Sequence, residues 1–246
     1  MASVVDAAVV AALSTSAYAL WARRHTWGSP WDTNPTCVLV FLGCAGLLMS
    51  PVGPTLLDPL FHRMLGLWNV AGLLAVLCVF GAVVAMFDHL VMRLADENHA
   101  RLLKRRHVTA PLKLGLPLVL IVFCIADRGQ PQYLDLFAPR GPWFAAYWAL
   151  VGALGLHVFG LTGRVLLVLR SDPRSTASTE RYLVWVGLNA ATILAQLIGV
   201  VAGTTVTWPS WICAGASAIT FAYASVLSWR DRTTWFGPTI PRTAAD

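Results

Sequence analysis

Charge is what this chain has least of. Asp, Glu, Lys and Arg make up only 12% of its 246 residues, against roughly 25% in soluble globular domains. That leaves too little polar surface to coat a water-soluble globule. Lysine is nearly absent, with Lys104 and Lys113 the only two. The last apolar run therefore has no lysine, which excludes a retinal Schiff base of the rhodopsin kind there. Cys37, Cys44, Cys78, Cys124 and Cys213 lie in apolar runs, without a CxxC pair or a spaced histidine. They form neither a secreted disulfide framework nor a zinc site, and read as small packing residues. There is no Walker loop, HExxH or GxSxG, and no histidine pair at metal spacing. Intramembrane catalysis needs paired acids, or a nucleophile with a base, and neither occurs at mid-depth. These absences point away from an enzyme, and no cofactor or metal is implied.

What the chain does have is apolar length. Hydrophobic residues make up 57%, and a spanning helix needs about 20 of them in a row. Seven runs qualify: residues 4–22, 36–53, 67–87, 111–126, 143–169, 182–203 and 208–229. The second is closed by Pro51 and Pro54. The fourth is short, between Lys113 and Asp127. The expected fold is an all-α, seven-span helix bundle in the cell inner (plasma) membrane, followed by a short tail, 230–246, too polar to fold alone. No internal repeat is visible.

Orientation follows from the basic residues. With the N-terminus outside, the inner segments 23–35, 88–113, 164–181 and 230–246 hold 15 of the 18 Lys and Arg. Only Arg63, Arg128 and Arg140 fall outside. Positive residues of short loops stay cytoplasmic, so the split predicts a cytoplasmic C-terminus. It also explains the net charge of +6 without nucleic-acid binding. Ala17-Tyr18-Ala19 resembles a signal-peptide cleavage site. However, residues 1–20 carry only Asp6, and Arg23 and Arg24 follow the apolar run, which is the reverse of a signal peptide. Trp21, Trp68, Trp143, Trp208, Trp211 and Trp229 sit at span ends, where an indole keeps its N–H wet.

Two connections have patterns of their own. Across 55–66, Leu56, Leu57, Leu60, Phe61, Met64 and Leu65 share a helical face, and Asp58, His62 and Arg63 take the other. Thr55 with Asp58 resembles a capping box, and the segment reads as a helix lying flat on the outer surface. In 88–107 the Arg93/Glu97 and Glu97/Arg101 pairs stand at i,i+4. The third span is therefore expected to run on as a helix ending in Lys104, Arg105 and Arg106. That trio is a topology anchor, or a site for anionic lipid headgroups or a cytoplasmic partner.

Polar groups within spans are costly, roughly 2.5–3.5 kcal/mol for a charge at mid-span, and mark candidate sites. His157 is the one ionisable residue near the middle of a span, among Gly152, Gly155, Gly160 and Gly163. It reads as a proton-linked or ligand-contacting histidine, or as one bonded to a neighbouring helix. Asn189, Thr192 and Gln196, at i, i+3 and i+7, form a polar stripe on the sixth span. Such a stripe is a cavity wall or helix–helix glue. Asn69, Ser217, Thr220 and Tyr223 could join either arrangement. The expected ligand-binding set is His157, Asn189, Thr192, Gln196 and Asn69, with His157 facing the bundle interior opposite the stripe. Gly199 and Gly203 continue the sixth span as a GxxxG pair, a candidate homo-oligomer face.

Ser50-Pro51 closing the second span, Leu57-Asp58-Pro59, and Gly66-Leu67-Trp68-Asn69-Val70-Ala71 opening the third are motifs through which residues 37–203 resemble an actinobacterial multi-span family of transporter type. The resemblance implies a membrane bundle and no catalytic residues. Family members carry a soluble C-terminal extension, which this sequence lacks. The function expected is binding or transport of a small or lipidic ligand. The alternatives are a receptor-like regulatory module acting on a cytoplasmic partner, and a membrane-assembly or defence protein.

Overall fold

The computed structural model describes residues 2–27, 33–128, 137, 141–173, 175–204 and 207–236. All regular structure among them is helical. The helices are α1 (Ala2–Ala22), α2 (Thr33–Met49), α3 (Asp58–Leu65), α4 (Val70–Leu94), α5 (Glu97–Lys104), α6 (Ala110–Asp127), α7 (Pro142–Leu169), α8 (Thr176–Ala202) and α9 (Thr207–Phe236). Five helical stretches are long and apolar enough to cross a membrane, and six if the bent pair Thr33–Met49 and Gly53–Leu65 is one span. These are the helices of a multi-pass membrane protein. The apolar part of α1, Asp6–Ala22, is shorter than these.

Helix packing runs in a closed ring. α1 packs on α2, α2 on α4, α4 on α7, α7 on α8, α8 on α9, and α9 back on α1. α6 packs chiefly on α7. Glycines set the closeness of the α7–α8 seam. A Cβ on Gly155 would lie 2.8 Å from Ile193 Cδ1, and one on Gly152 2.9 Å from Leu197 Cδ2. These glycines serve helix approach rather than His157.

The second apolar run does not continue straight. α2 ends at Met49, and the chain bends by 66° into a helical hairpin arm, a π turn over Gly53–Leu57 followed by α3. Pro51 and Pro54 lack the N–H groups that a continuous helix needs. A Cβ on Gly53 would sit 1.9 Å from the Leu48 carbonyl oxygen, so the bend requires glycine. Along the arm Leu56, Leu60 and Met64 point away from the bundle. Asp58, expected among the exposed polar residues, is instead buried.

The third run also departs from expectation. α4 ends at Leu94, Ala95 and Asp96 are extended, and a new helix starts at Glu97. Asp96 takes the extended N-cap conformation, and its carbonyl accepts the Ala100 N–H at 2.9 Å. The His99 ring bonds the Asp96 carboxylate and holds it below the usual carboxylate range. Stretch 97–127 then continues as one helical element. Lys104, Arg105 and Arg106 therefore extend the fourth apolar run, not the third. The break falls between Arg93 and Glu97, whereas the Glu97–Arg101 pair forms within α5.

α9 carries on to Phe236, into the segment expected to be an unstructured tail. Residues 237–246, Arg140 and Arg174 lie outside the described residues. Trp21, Trp143 and Trp208 are exposed at helix ends, whereas Trp211 is buried in the core.

Candidate functional site

The predicted polar residues separate into three places. The first is the centre of the ring. The Asn189 Nδ2 donates to Ser217 Oγ at 2.6 Å and to the Trp185 carbonyl at 2.9 Å, tying α8 to α9. Beside this pair lies a cavity of about 70 Å³, walled by residues of α1, α2, α4, α8 and α9. Its walls are mostly small, among them Ala8, Ala12, Ala45, Gly46, Gly215 and Ala218. A single water needs roughly 10–15 Å³ by this kind of measure, so the space exceeds one water. Its polar groups are confined to the Asn189–Ser217 side.

The rest of the stripe does not share that cavity. Thr192 Oγ1 donates to the Leu188 carbonyl of its own helix at 2.9 Å. Gln196 is buried, and its Nε2 donates to the Phe137 carbonyl at 3.2 Å. Ser210 Oγ stands 3.5 Å from Gln196 Oε1. Gln196 thus joins α8 to the start of α9 and to the segment before α7. Gly199 is buried within the bundle. Gly203 ends α8 in the left-handed conformation (φ +63°), its N–H bonded to carbonyls of the last turn. Of the GxxxG pair, Gly199 is therefore buried and Gly203 exposed at the end of α8.

The second place is the outside of α7. His157 is exposed and does not face the ring interior. Its Nε2 lies 2.8 Å from the His107 carbonyl oxygen, so Nε2 carries the proton and donates. The reason is visible in the sequence of α6. In an α-helix the His107 carbonyl would accept from residue 111, which is proline and has no N–H. The π turn over Arg105–Thr109 marks the same disturbance, with Ala110 N–H bonding back to Arg105. His157 supplies the missing donor across the α6–α7 seam. It is not brought together with Asn189, Thr192 or Gln196.

The third place is a polar knot at the opposite end of α6. Asn69 is not inside the third span. It precedes α4 in the left-handed region (φ +59°), which Asn tolerates better than most residues. Its Nδ2 donates to Asp127 Oδ1 at 2.7 Å, and the Ala71 N–H donates to Asp58 Oδ1 at 2.8 Å. Asp58 thus acts as a long-range cap on the first turn of α4. Asp58 and Asp127 are both about 98% buried, and Asp127 Oδ2 has no hydrogen-bond partner among the described residues. His62 stacks on Trp68, with centroids 4.0 Å apart, beside this knot. Sequence reading missed this knot. Its only signal was two lone acids flanking apolar runs, 69 residues apart. Among the described residues no group of three His, Cys, Asp or Glu is arranged to hold a metal.

No family model, curated protein or solved structure matches the chain.

Of the basic trio, Lys104 is engaged. Its Nζ pairs with Asp88 Oδ1 at 2.8 Å, and Asn34 Nδ2 reaches Asp88 Oδ2 at 3.5 Å, linking α2, α4 and α5. Arg105 and Arg106 are exposed and pair with no described residue. Arg23, at the same end of the bundle, is fully buried and donates to Ser225 Oγ of α9. Arg170 and Glu180 bridge the α7–α8 turn at 2.9 Å.

Proposed function

We propose that this chain is a seven-span protein of the cell inner membrane, with its C-terminus cytoplasmic, that binds or moves a small lipidic molecule without catalysing a reaction on it. The observation that carries the ligand reading is the central cavity. It combines small apolar walls with one polar pair, Asn189 and Ser217. Such a chamber suits the end of an apolar chain, or a small amphiphile whose polar group meets the amide. The 15-to-3 distribution of basic residues supports the orientation. The exposed stripe Leu56, Leu60 and Met64 supports an interfacial position for the α3 arm on the outer side. The likeness of residues 37–203 to a transporter-type actinobacterial family is a secondary argument.

Photolabelling tests the ligand reading. A diazirine-bearing octanol is added to the protein in nanodiscs, irradiated, and its adducts mapped by peptide mass spectrometry. Adducts are expected on α1, α2 and α9 around Ala12, Ala45 and Ala218, and Ala218→Leu should suppress them. Labelling confined to outward-facing residues, unchanged in Ala218→Leu, refutes the cavity as a ligand site. Alkaline phosphatase and fluorescent-protein fusions after Asp246 test orientation. Phosphatase activity without fluorescence refutes the seven-span arrangement.

A further inference from the structure

Between α4 and α6 lies a second concavity, about 370 Å³, open to the outside of the bundle. Val84 of α4 and Val108, Leu112, Leu116 and Pro117 of the α6 stretch form its apolar lining, with Thr109. Lys113 is its one charged lining residue. The crevice exists because α6 leans on α7 rather than along α4. Pro111, Pro117 and the π turn interrupt regular packing over this stretch.

Depth along the bundle locates it. Counting from Asp127 at 1.5 Å per residue, the lining from Pro117 to Val108 spans roughly 15–28 Å. In a hydrocarbon layer about 30 Å thick, that is the leaflet at the end bearing Arg105 and Arg106. Lys113, roughly 21 Å along, is exposed, inside the apolar layer, and paired with no described residue. An ammonium there is costly unless it reaches towards the interface and meets an anion. No acidic side chain lines the crevice to provide one.

We infer that this crevice binds one anionic phospholipid, an acyl chain lying along Val84, Leu112 and Leu116 and the phosphate drawn to Lys113. Arg105 and Arg106 stand about 10 Å further along the axis. That is within roughly a Debye length of Lys113, so both add to the attraction. Charge complementarity commits the site to a lipid of net negative headgroup. The crevice is separate from the central cavity and does not depend on it.

Native mass spectrometry of the detergent-solubilised full chain tests this. The protein is titrated with phosphatidylglycerol and, separately, with phosphatidylcholine of the same acyl chains. Phosphatidylglycerol is expected to be retained preferentially, with about a fivefold loss of affinity in Lys113→Ala, the effect of one surface charge on an anionic lipid. Arg105→Ala/Arg106→Ala should reduce it further. Leu116→Trp, which fills the crevice and leaves every charge in place, should lower retention of both lipids. Circular dichroism checks each variant's fold. Should Leu116→Trp not fold, a photoreactive acyl chain on phosphatidylglycerol must label residues 108–117 in the unaltered protein. Equal retention of the two lipids overturns the inference. So does retention unchanged in Lys113→Ala, displacement by inorganic phosphate alone, or labelling elsewhere.

Discussion

Removing the His157 side chain should cost stability, and the cost should depend on residue 111. In His157→Leu the His107 carbonyl loses its donor, and the prolyl nitrogen of residue 111 offers none. A hydrogen bond of this kind nets about 0.5–1.5 kcal/mol, and a polar group left unmade away from water costs about 1–3 kcal/mol. A loss of about 1–2 kcal/mol is therefore expected. At about 2–4 °C per kcal/mol for a chain of this size, the midpoint falls by several degrees. Pro111→Ala restores an N–H at the position where an α-helix would pair the carbonyl. In that background His157→Leu should cost only a few tenths of a kcal/mol, a coupling of about 1 kcal/mol between residues on different helices. Thermal unfolding of the four proteins of the cycle in one bicelle composition measures it. Equal loss from His157→Leu in both backgrounds refutes the reasoning, because the bond to His107 would then not be what the histidine supplies.

Three further outcomes follow from the same geometry. Gly53→Ala should destabilise by about 1–3 kcal/mol, because a Cβ there overlaps the Leu48 carbonyl oxygen. An unchanged melting midpoint contradicts the 66° bend. Asn69→Ala loses both the bond to Asp127, worth about 0.5–1.5 kcal/mol, and tolerance of φ +59°. Asn69→Gly loses only the bond, so the alanine variant should be the less stable by about 1 kcal/mol, and the reverse order refutes the left-handed assignment. Carbon-detected NMR titration should find Asp96 ionising below its usual value of 3.8, because His99 hydrogen-bonds the carboxylate. The depressed folded value means that this contact stabilises at neutral pH and is lost as pH falls through it. Titration of Asp96 at or above the ordinary value refutes the His99–Asp96 contact.

The sequence alone determined that the chain is a set of long apolar helices, and placed most of them to within a few residues. Low charge, run length, and punctuation by Pro51 and Pro54 are local properties, and a helix end responds to them locally. What faces what was decided by the tertiary structure. In a soluble helix an apolar stripe shows the inward side, but lipid is as apolar as the core, so both sides of these helices read alike. For that reason His157 was expected inside the ring and stands outside it, answering a carbonyl orphaned by Pro111 on another helix. The same holds for Asn69, Asp58 and Asp127, three unremarkable polar residues until α4, the bent arm and α6 bring them to one end of the bundle. Asn189 was legible as a polar group needing a partner, but Ser217 and the cavity beside it exist only because α8 and α9 pack in one register. The break at Ala95–Asp96, two extended residues between α4 and α5, interrupts a stretch whose i,i+4 pattern alone suggested one continuous helix.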